Sequence, residues 1–208
     1  MKTIVLATGN QHKLQEIKDM MKGYNLVSLK DIGFVGDIEE TGKTMEANAK
    51  IKATAIAEFC KEKGLDYAVM ADDSGLCVAA LGGAPGVNSA RYAGDHDDEA
   101  NRQKLLKELD GRMDRMANYE CAICYIEGET IRTFVGRTYG EITLEKFGDE
   151  SFCYDCLFYS ADLKKTFGEA TENEKNAVSH RGRAVEKLKK YLDEKNPNFD
   201  RTLVFNKK

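Results

Sequence analysis

Three features of the 208-residue sequence predict an α/β fold. Short apolar runs such as "KTIVLA" and "YAVMA" each lead into a loop, as strands of an open sheet do. Amphipathic segments of helical period alternate with those runs. A two-run pattern over residues 118 to 138, folded at Glu127-Gly128-Glu129, adds an antiparallel hairpin, so the sheet is expected to be mixed.

The elements follow in chain order. "KTIVLA" (2–7) reads as a strand, and "NQHKLQEIKDMMKG" (10–23) as a helix with Leu14, Ile17 and Met21 on one face and Gly23 as its stop. "TMEANAKIKATAIAEFC" (44–60) is a second helix, striped by Met45, Ala49, Ala53, Ile56 and Cys60, with a polar row of Thr44, Asn48 and Lys52 beside the stripe. Tyr67 to Ala71 reads as a buried strand that ends at Asp72-Asp73, before a Ser74-Gly75 loop. A Gly-rich loop (82–94), a helix from about 97 to 109, the hairpin, a loop around Phe152 to Phe158, a helix from about 180 to 194 and a tail strand "TLVF" complete the chain. Neither repeats nor Pro-rich linkers interrupt it, so residues 1–208 are expected to form a single domain, with two lobes.

The net charge of −4, with 32% charged residues spread evenly, provides no basic stripe for a nucleic-acid backbone. No segment has the length or apolarity of a membrane span, and Ile4 to Ala7 is too short for a signal-peptide core. A cytoplasmic protein without nucleic-acid or membrane partners is the expectation. Four of the six cysteines form the pairs "CAIC" (121–124) and "CYDC" (153–156), a zinc-ribbon spacing on paper. Within a strand, however, Cys121 and Cys124 point to opposite faces, so small buried hydrophobes are the favoured reading.

Five stretches carry candidate chemistry. Asp72 and Asp73 place two adjacent carboxylates at a strand end, where they call for a cation, a proton or open water; solvated turn residues are the plain alternative. "TGNQHK" (Thr8 to Lys13) joins the first strand to its helix: Gly9 permits close backbone approach, free amides attract an anion and Lys13 adds charge. It also reads as a simple helix start capped by Asn10. In "EETGKTMEANAKIKA", Lys52 suits a phosphate, while Glu40 with Asp73 supplies oxygen ligands suited to Mg²⁺. "KNAVSHRGRA" gathers Lys175, Ser179, His180 and Arg181, either as donors to a base edge or as a helix cap at Ser179 among surface basic residues, and "FCYDC" offers Phe152 for stacking and Asp155 as an acceptor unless it is an ordinary aromatic core segment.

Taken in this order, and with "ADDSGL" (71–76), "LGGAPGVNSARYAG" (81–94) and "SHRGRA" (179–184), these stretches resemble the inosine triphosphate pyrophosphatase family over nearly the whole chain. The resemblance implies Mg²⁺-dependent hydrolysis of non-standard purine nucleoside triphosphates (ITP, dITP, XTP) to the monophosphate and pyrophosphate, which cleans the nucleotide pool. It implies an elongated mixed β-sheet flanked by helices, two lobes with a central nucleotide cleft, and a homodimer. Carried over residue by residue, Thr8, Gly9, Asn10, Gln11, His12 and Lys13 would hold the triphosphate, with Ser74 also on the substrate. Glu40 and Asp73 would bind Mg²⁺. Asp73 would prepare the attacking water, and Lys13 and Lys52 would stabilise the leaving pyrophosphate. Phe152, Cys153, Tyr154, Asp155, Lys175, His180 and Arg181 would form the base pocket. Asp72 would cap backbone amides or orient the metal shell, and the reverse assignment of the two aspartates stays open.

The base loop departs from the family pattern Phe-Gly-Tyr-Asp-Pro. Cys153 replaces the Gly and Cys156 the Pro, and Ser151 precedes Phe152 where a Gly is usual. If position 153 needs a positive φ, a Cys there would cost roughly 1 kcal/mol or reshape the loop. Alternatives are therefore the same chemistry on another nucleotide, a nucleotide-binding sensor without turnover, and a zinc or redox module built on the Cys pairs.

Overall fold

The computed structural model describes residues 2–94, 97–149 and 152–195. Seven strands are ordered β2-β1-β3-β4-β5-β6-β7 in one mixed sheet: β1 (Ile4–Leu6), β2 (Leu26–Ser28), β3 (Ala68–Val78), β4 (Met116–Glu127), β5 (Thr130–Ile142), β6 (Phe158–Ser160) and β7 (Lys165–Thr166). The helices are α1 (Gln11–Met20), α2 (Met45–Glu62), α3 (Asp98–Glu108), α4 (Glu172–Val178) and α5 (His180–Lys195). No described helix is long and apolar enough to cross a membrane. The tail segment "TLVF" lies outside the described residues.

The chain divides into two compact units, and β3, β4, β5 and α5 each pass from one to the other along the backbone. The first unit holds residues 1–72, 122–135 and 184–208. Here β1 pairs in parallel with β2 and with β3, aligning Leu6 with Ser28 and with Met70. Because helical connections cover a parallel pair, β1 and the start of β3 are apolar: Ile4, Val5, Leu6, Val69 and Met70 are all buried, while β2 is half-buried. The predicted stripe of α2 is also buried, from Met45 through Ala49, Ala53 and Ile56 to Cys60. Thr44 caps this helix by accepting from the Ala47 amide, as Asn10 caps α1 by accepting from the Lys13 amide.

The second unit holds residues 73–121 and 136–183. Its core joins Leu76 and Val78 of β3, Leu105 and Leu109 from the α3 region, Tyr119 of β4, and Tyr154, Phe158 and Phe167. The aromatic members meet closely, with Tyr119 and Phe158 ring centroids 4.8 Å apart and Phe158 and Phe167 5.0 Å apart. β5 pairs antiparallel with β6, and β6 with β7.

One boundary differs from the sequence expectation in a way that matters. The strand expected to end at Asp72-Asp73 continues to Val78, carrying both aspartates and Ser74-Gly75 inside β3. Ser and Gly favour a turn only where nothing competes, and here β3 is an interior strand between β1 and β4, where ladder pairing prevails over turn propensity.

Candidate active site

In the first unit, the candidate residues stand on two helix starts. The Thr8 hydroxyl accepts from the Asn10 amide at 3.2 Å and Asn10 Oδ1 accepts from the Lys13 amide at 3.1 Å, shaping the backbone between β1 and α1. Gly9, Asn10, Gln11 and His12 are exposed along this turn. One turn into α1, Lys13 Nζ meets Asp72 Oδ2 at 3.1 Å. Asp72 is 1% exposed, so the ammonium supplies a charge that a buried carboxylate requires. This gives Asp72 a partner that the sequence reading had not assigned to it.

On α2, Lys52 Nζ meets Glu40 Oε1 at 2.6 Å. The polar row of Thr44, Asn48 and Lys52 proves not to be one shared surface. Thr44 caps the helix, while Asn48 is fully buried and accepts from the Gly42 amide at 2.7 Å. A Cβ on Gly42 would lie 2.6 Å from Asn48 Oδ1, so the Thr41-Gly42 turn must be glycine for the loop that carries Glu40 to close on α2. Only Lys52 of the three points its charge at another candidate residue.

The second unit assembles the remaining candidates from five segments. Asp73 is buried, and its Oδ1 accepts from the Ser74 amide at 2.9 Å. Arg181, 1% exposed, donates to Ser74 Oγ at 3.1 Å. Lys175 Nζ lies 2.6 Å from Asp155 Oδ2 and 4.5 Å from the centre of the Phe152 ring. One ammonium thus lies within reach of a carboxylate and an aromatic face. Tyr119 stacks on His180, with centroids 4.7 Å apart, and directs its hydroxyl at Asp155 Oδ1, 3.4 Å away. Burial first, and then the Asp155 carboxylate, push the Tyr119 hydroxyl well above its ordinary pKa, so it stays a donor.

Local structure explains how α4 and α5 deliver their side chains. Thr171 and Glu174 form a capping box that starts α4, and Ser179 at its end accepts from the Gly182 amide at 3.0 Å. A Cβ at Gly182 would lie 2.0 Å from the Asn176 carbonyl oxygen. That glycine therefore lets the start of α5 approach α4 closely.

The base loop adopts the conformation that its substituted residue disfavours. Cys153 has φ of 42°, in the left-handed region. Its amide donates to Asp98 Oδ2 at 2.9 Å, and its carbonyl accepts from the Arg102 guanidinium at 2.7 Å. Burial, with Asp98 and Asp155 nearby, pushes its thiol far up, so the thiol form is favoured. Tyr154, expected in the base pocket, is fully buried with its hydroxyl on the Ser89 carbonyl at 2.9 Å, and its side chain supports the loop from within the core.

A sequence profile of the Ham1 family matches residues 4–191. A Clostridium perfringens protein named dITP/XTP pyrophosphatase is 50% identical over 200 residues, covering 92% of this chain and 98% of its own. This chain belongs to the Ham1 family. A Bacillus subtilis protein with the same name is 45% identical over 199 residues, with 93% and 98% covered. Among solved structures, the Staphylococcus aureus Ham1 protein superposes with a TM-score of 0.83 at 39% identity, covering 94% of this chain and all of that one. A HAM1 protein from Coxiella burnetii gives 0.83 at 40% identity, covering 93% and 100%.

Within this Ham1-family fold, three contributors escaped sequence reading: Asp98, Arg102 and Tyr119. Asp98 and Arg102 do share a helix face at i, i+4, which was a signal available in the sequence. Tyr119 left none, because a strand tyrosine reads as core. Of the cysteines, Cys60, Cys121, Cys124 and Cys156 are buried, and among the described residues no three or more His, Cys, Asp or Glu side chains group as a metal site.

Proposed function

We propose that this protein is a nucleoside triphosphate pyrophosphatase that hydrolyses non-standard purine nucleotides, dITP, XTP and ITP, to the monophosphate and pyrophosphate. The observation that carries this reading is the Lys175 ammonium held between the Asp155 carboxylate and the Phe152 ring. A 6-oxopurine presents an acceptor at O6 and a donor at N1–H, which suits a cation beside a carboxylate over an aromatic face. Adenine presents the opposite pair and would leave donor against donor, a mismatch that sites of this kind reject by roughly 10⁴-fold. The names of the relatives support dITP and XTP as substrates.

For the reaction, we assign the exposed turn from Thr8 to His12, with Lys13, to the phosphates, and Ser74 to the substrate alongside Arg181. Lys13 and Lys52 stabilise negative charge as pyrophosphate leaves. Both lysines are balanced by carboxylates, Asp72 and Glu40. A polyanionic triphosphate that draws the lysines away would leave those carboxylates in need of a cation. Hard oxygen donors of this kind fit Mg²⁺; Glu40 is one of them, and Asp73, the neighbour of Asp72 in the chain, is the proposed second ligand. When bound, the ion would neutralise phosphate oxygens. Asp73, oriented by the Ser74 amide, takes the proton of the attacking water. His180, stacked on Tyr119, contributes to base recognition with Arg181. A homodimer and a cytoplasmic location complete the proposal.

The alternative of a different base rests on Cys153 and Cys156. Cys153 holds the left-handed conformation that a glycine would supply, so the loop need not have been reshaped, which favours the purine reading. The test is pyrophosphate release from ITP, XTP, dITP, GTP, ATP, CTP and UTP, measured side by side with and without Mg²⁺. Release confined to ITP, XTP and dITP with Mg²⁺ is expected. A different favoured base would move specificity, and no release from any nucleotide would remove the enzyme assignment.

A further inference from the structure

Cys153 and Lys164 are the non-glycine residues with positive φ among those described, and Cys153 alone of the two falls within the candidate base loop. A side chain in that region crowds its own backbone, so the unrestrained residue reverts to negative φ and its flanking peptide planes turn with it. Here both planes are fixed from outside. Asp98 accepts from the Cys153 amide, and Arg102, one helical turn later on α3, donates to the Cys153 carbonyl. Arg102 is 5% exposed, and Glu99 Oε2 accepts from two of its nitrogens at 3.0 and 3.2 Å, which sets the guanidinium plane. The same turn returns the Asp155 amide to the Phe152 carbonyl at 3.0 Å, so the φ of Cys153 determines where the ring and the carboxylate point.

We propose that Asp98 and Arg102 are positioning residues for base recognition: they clamp the Cys153 peptide on both sides and so present Phe152 and Asp155 to the base. A glycine at 153 would hold this conformation unaided, and with cysteine the loop depends on α3. The inference rests on the base-loop reading above.

The test uses the full chain and ITP, with KM, kcat and the inhibition constant of pyrophosphate read for Arg102→Met, Asp98→Ala, each combined with Cys153→Gly, and for Phe152→Ala. Removing either anchor is expected to raise KM for ITP roughly tenfold while kcat and pyrophosphate inhibition stay put. Adding Cys153→Gly is expected to return KM toward the unmutated value, a rescue that a merely structural role would not produce. Asp98 is only half-buried, so its variant carries the test if Arg102→Met fails to fold. A KM that stays unchanged, or a rise that Cys153→Gly does not lower, overturns the clamp. If Phe152→Ala raises KM while the anchor variants do not, the clamp alone is overturned. If Phe152→Ala leaves KM unchanged, the base-loop reading and the clamp are both overturned.

Discussion

Lys13 and Lys52 stand on their own helices, where Lys13 meets Asp72 and Lys52 meets Glu40, whereas Lys175 sits in a cluster with Asp155, Phe152 and, through Asp155, Tyr119. In the first unit, charge is placed by position along a helix. In the second unit, charge is placed by tertiary packing of strands, a turn and two helices, and its donors and acceptors are shared. The first arrangement suits a ligand group recognised by charge alone. The second suits one recognised by the direction of its hydrogen bonds, because only a crowded, rigid set of donors and acceptors penalises the wrong partner.

The largest effect that tests this division is on turnover. Asp73→Asn is expected to lower kcat by roughly 10³-fold or more while circular dichroism and thermal melting stay unchanged. Full activity in that variant would assign the base elsewhere. The next is on stability within the first unit. Lys13→Met removes the ammonium 3.1 Å from Asp72, a carboxylate only 1% exposed, and urea unfolding should report a loss of roughly 3 kcal/mol. Lys52→Met should cost less, roughly 1 kcal/mol, because the Glu40 side chain is 24% exposed and can turn to water. Equal losses would erase the contrast between the two pairs.

A smaller effect separates the two units by ligand part. Arg181→Ala is expected to raise KM for ITP by roughly 30-fold and to leave pyrophosphate inhibition nearly unchanged. A parallel rise in both would make Arg181 a phosphate ligand and end the separation. The smallest concerns the loop backbone. Cys153→Gly relieves a left-handed side chain and should change unfolding stability by about 1 kcal/mol in the stabilising direction, less the entropy that glycine gains in the unfolded chain. A clear loss of stability would mean that the packing of the cysteine side chain outweighs its strain.

Helix starts at Asn10 and Thr44, the apolar stripe of α2 and the hairpin turn at Gly128 were legible because each depends on residues within one or two turns of chain. The short strands β2, β6 and β7 were not, since so few residues carry no period and these end in or consist of polar residues, unlike the wholly apolar Ile4–Leu6 of β1. The end of β3 was misplaced for a related reason: Ser74-Gly75 has turn chemistry, and only its place between neighbouring strands overrides it.

The sequence by itself determined the alternation of helices and strands, the caps, the charge at the start of α1 and the motifs whose order resembles a pyrophosphatase family. Those features are local or are patterns of residue identity. Tertiary structure alone decided that Lys13 pairs with Asp72, that Tyr154 is a buried support, and that α3 holds Cys153 at positive φ. Such partners lie about 50 or more residues apart in the chain, and no local propensity encodes a hydrogen bond whose two ends meet only after the core has packed.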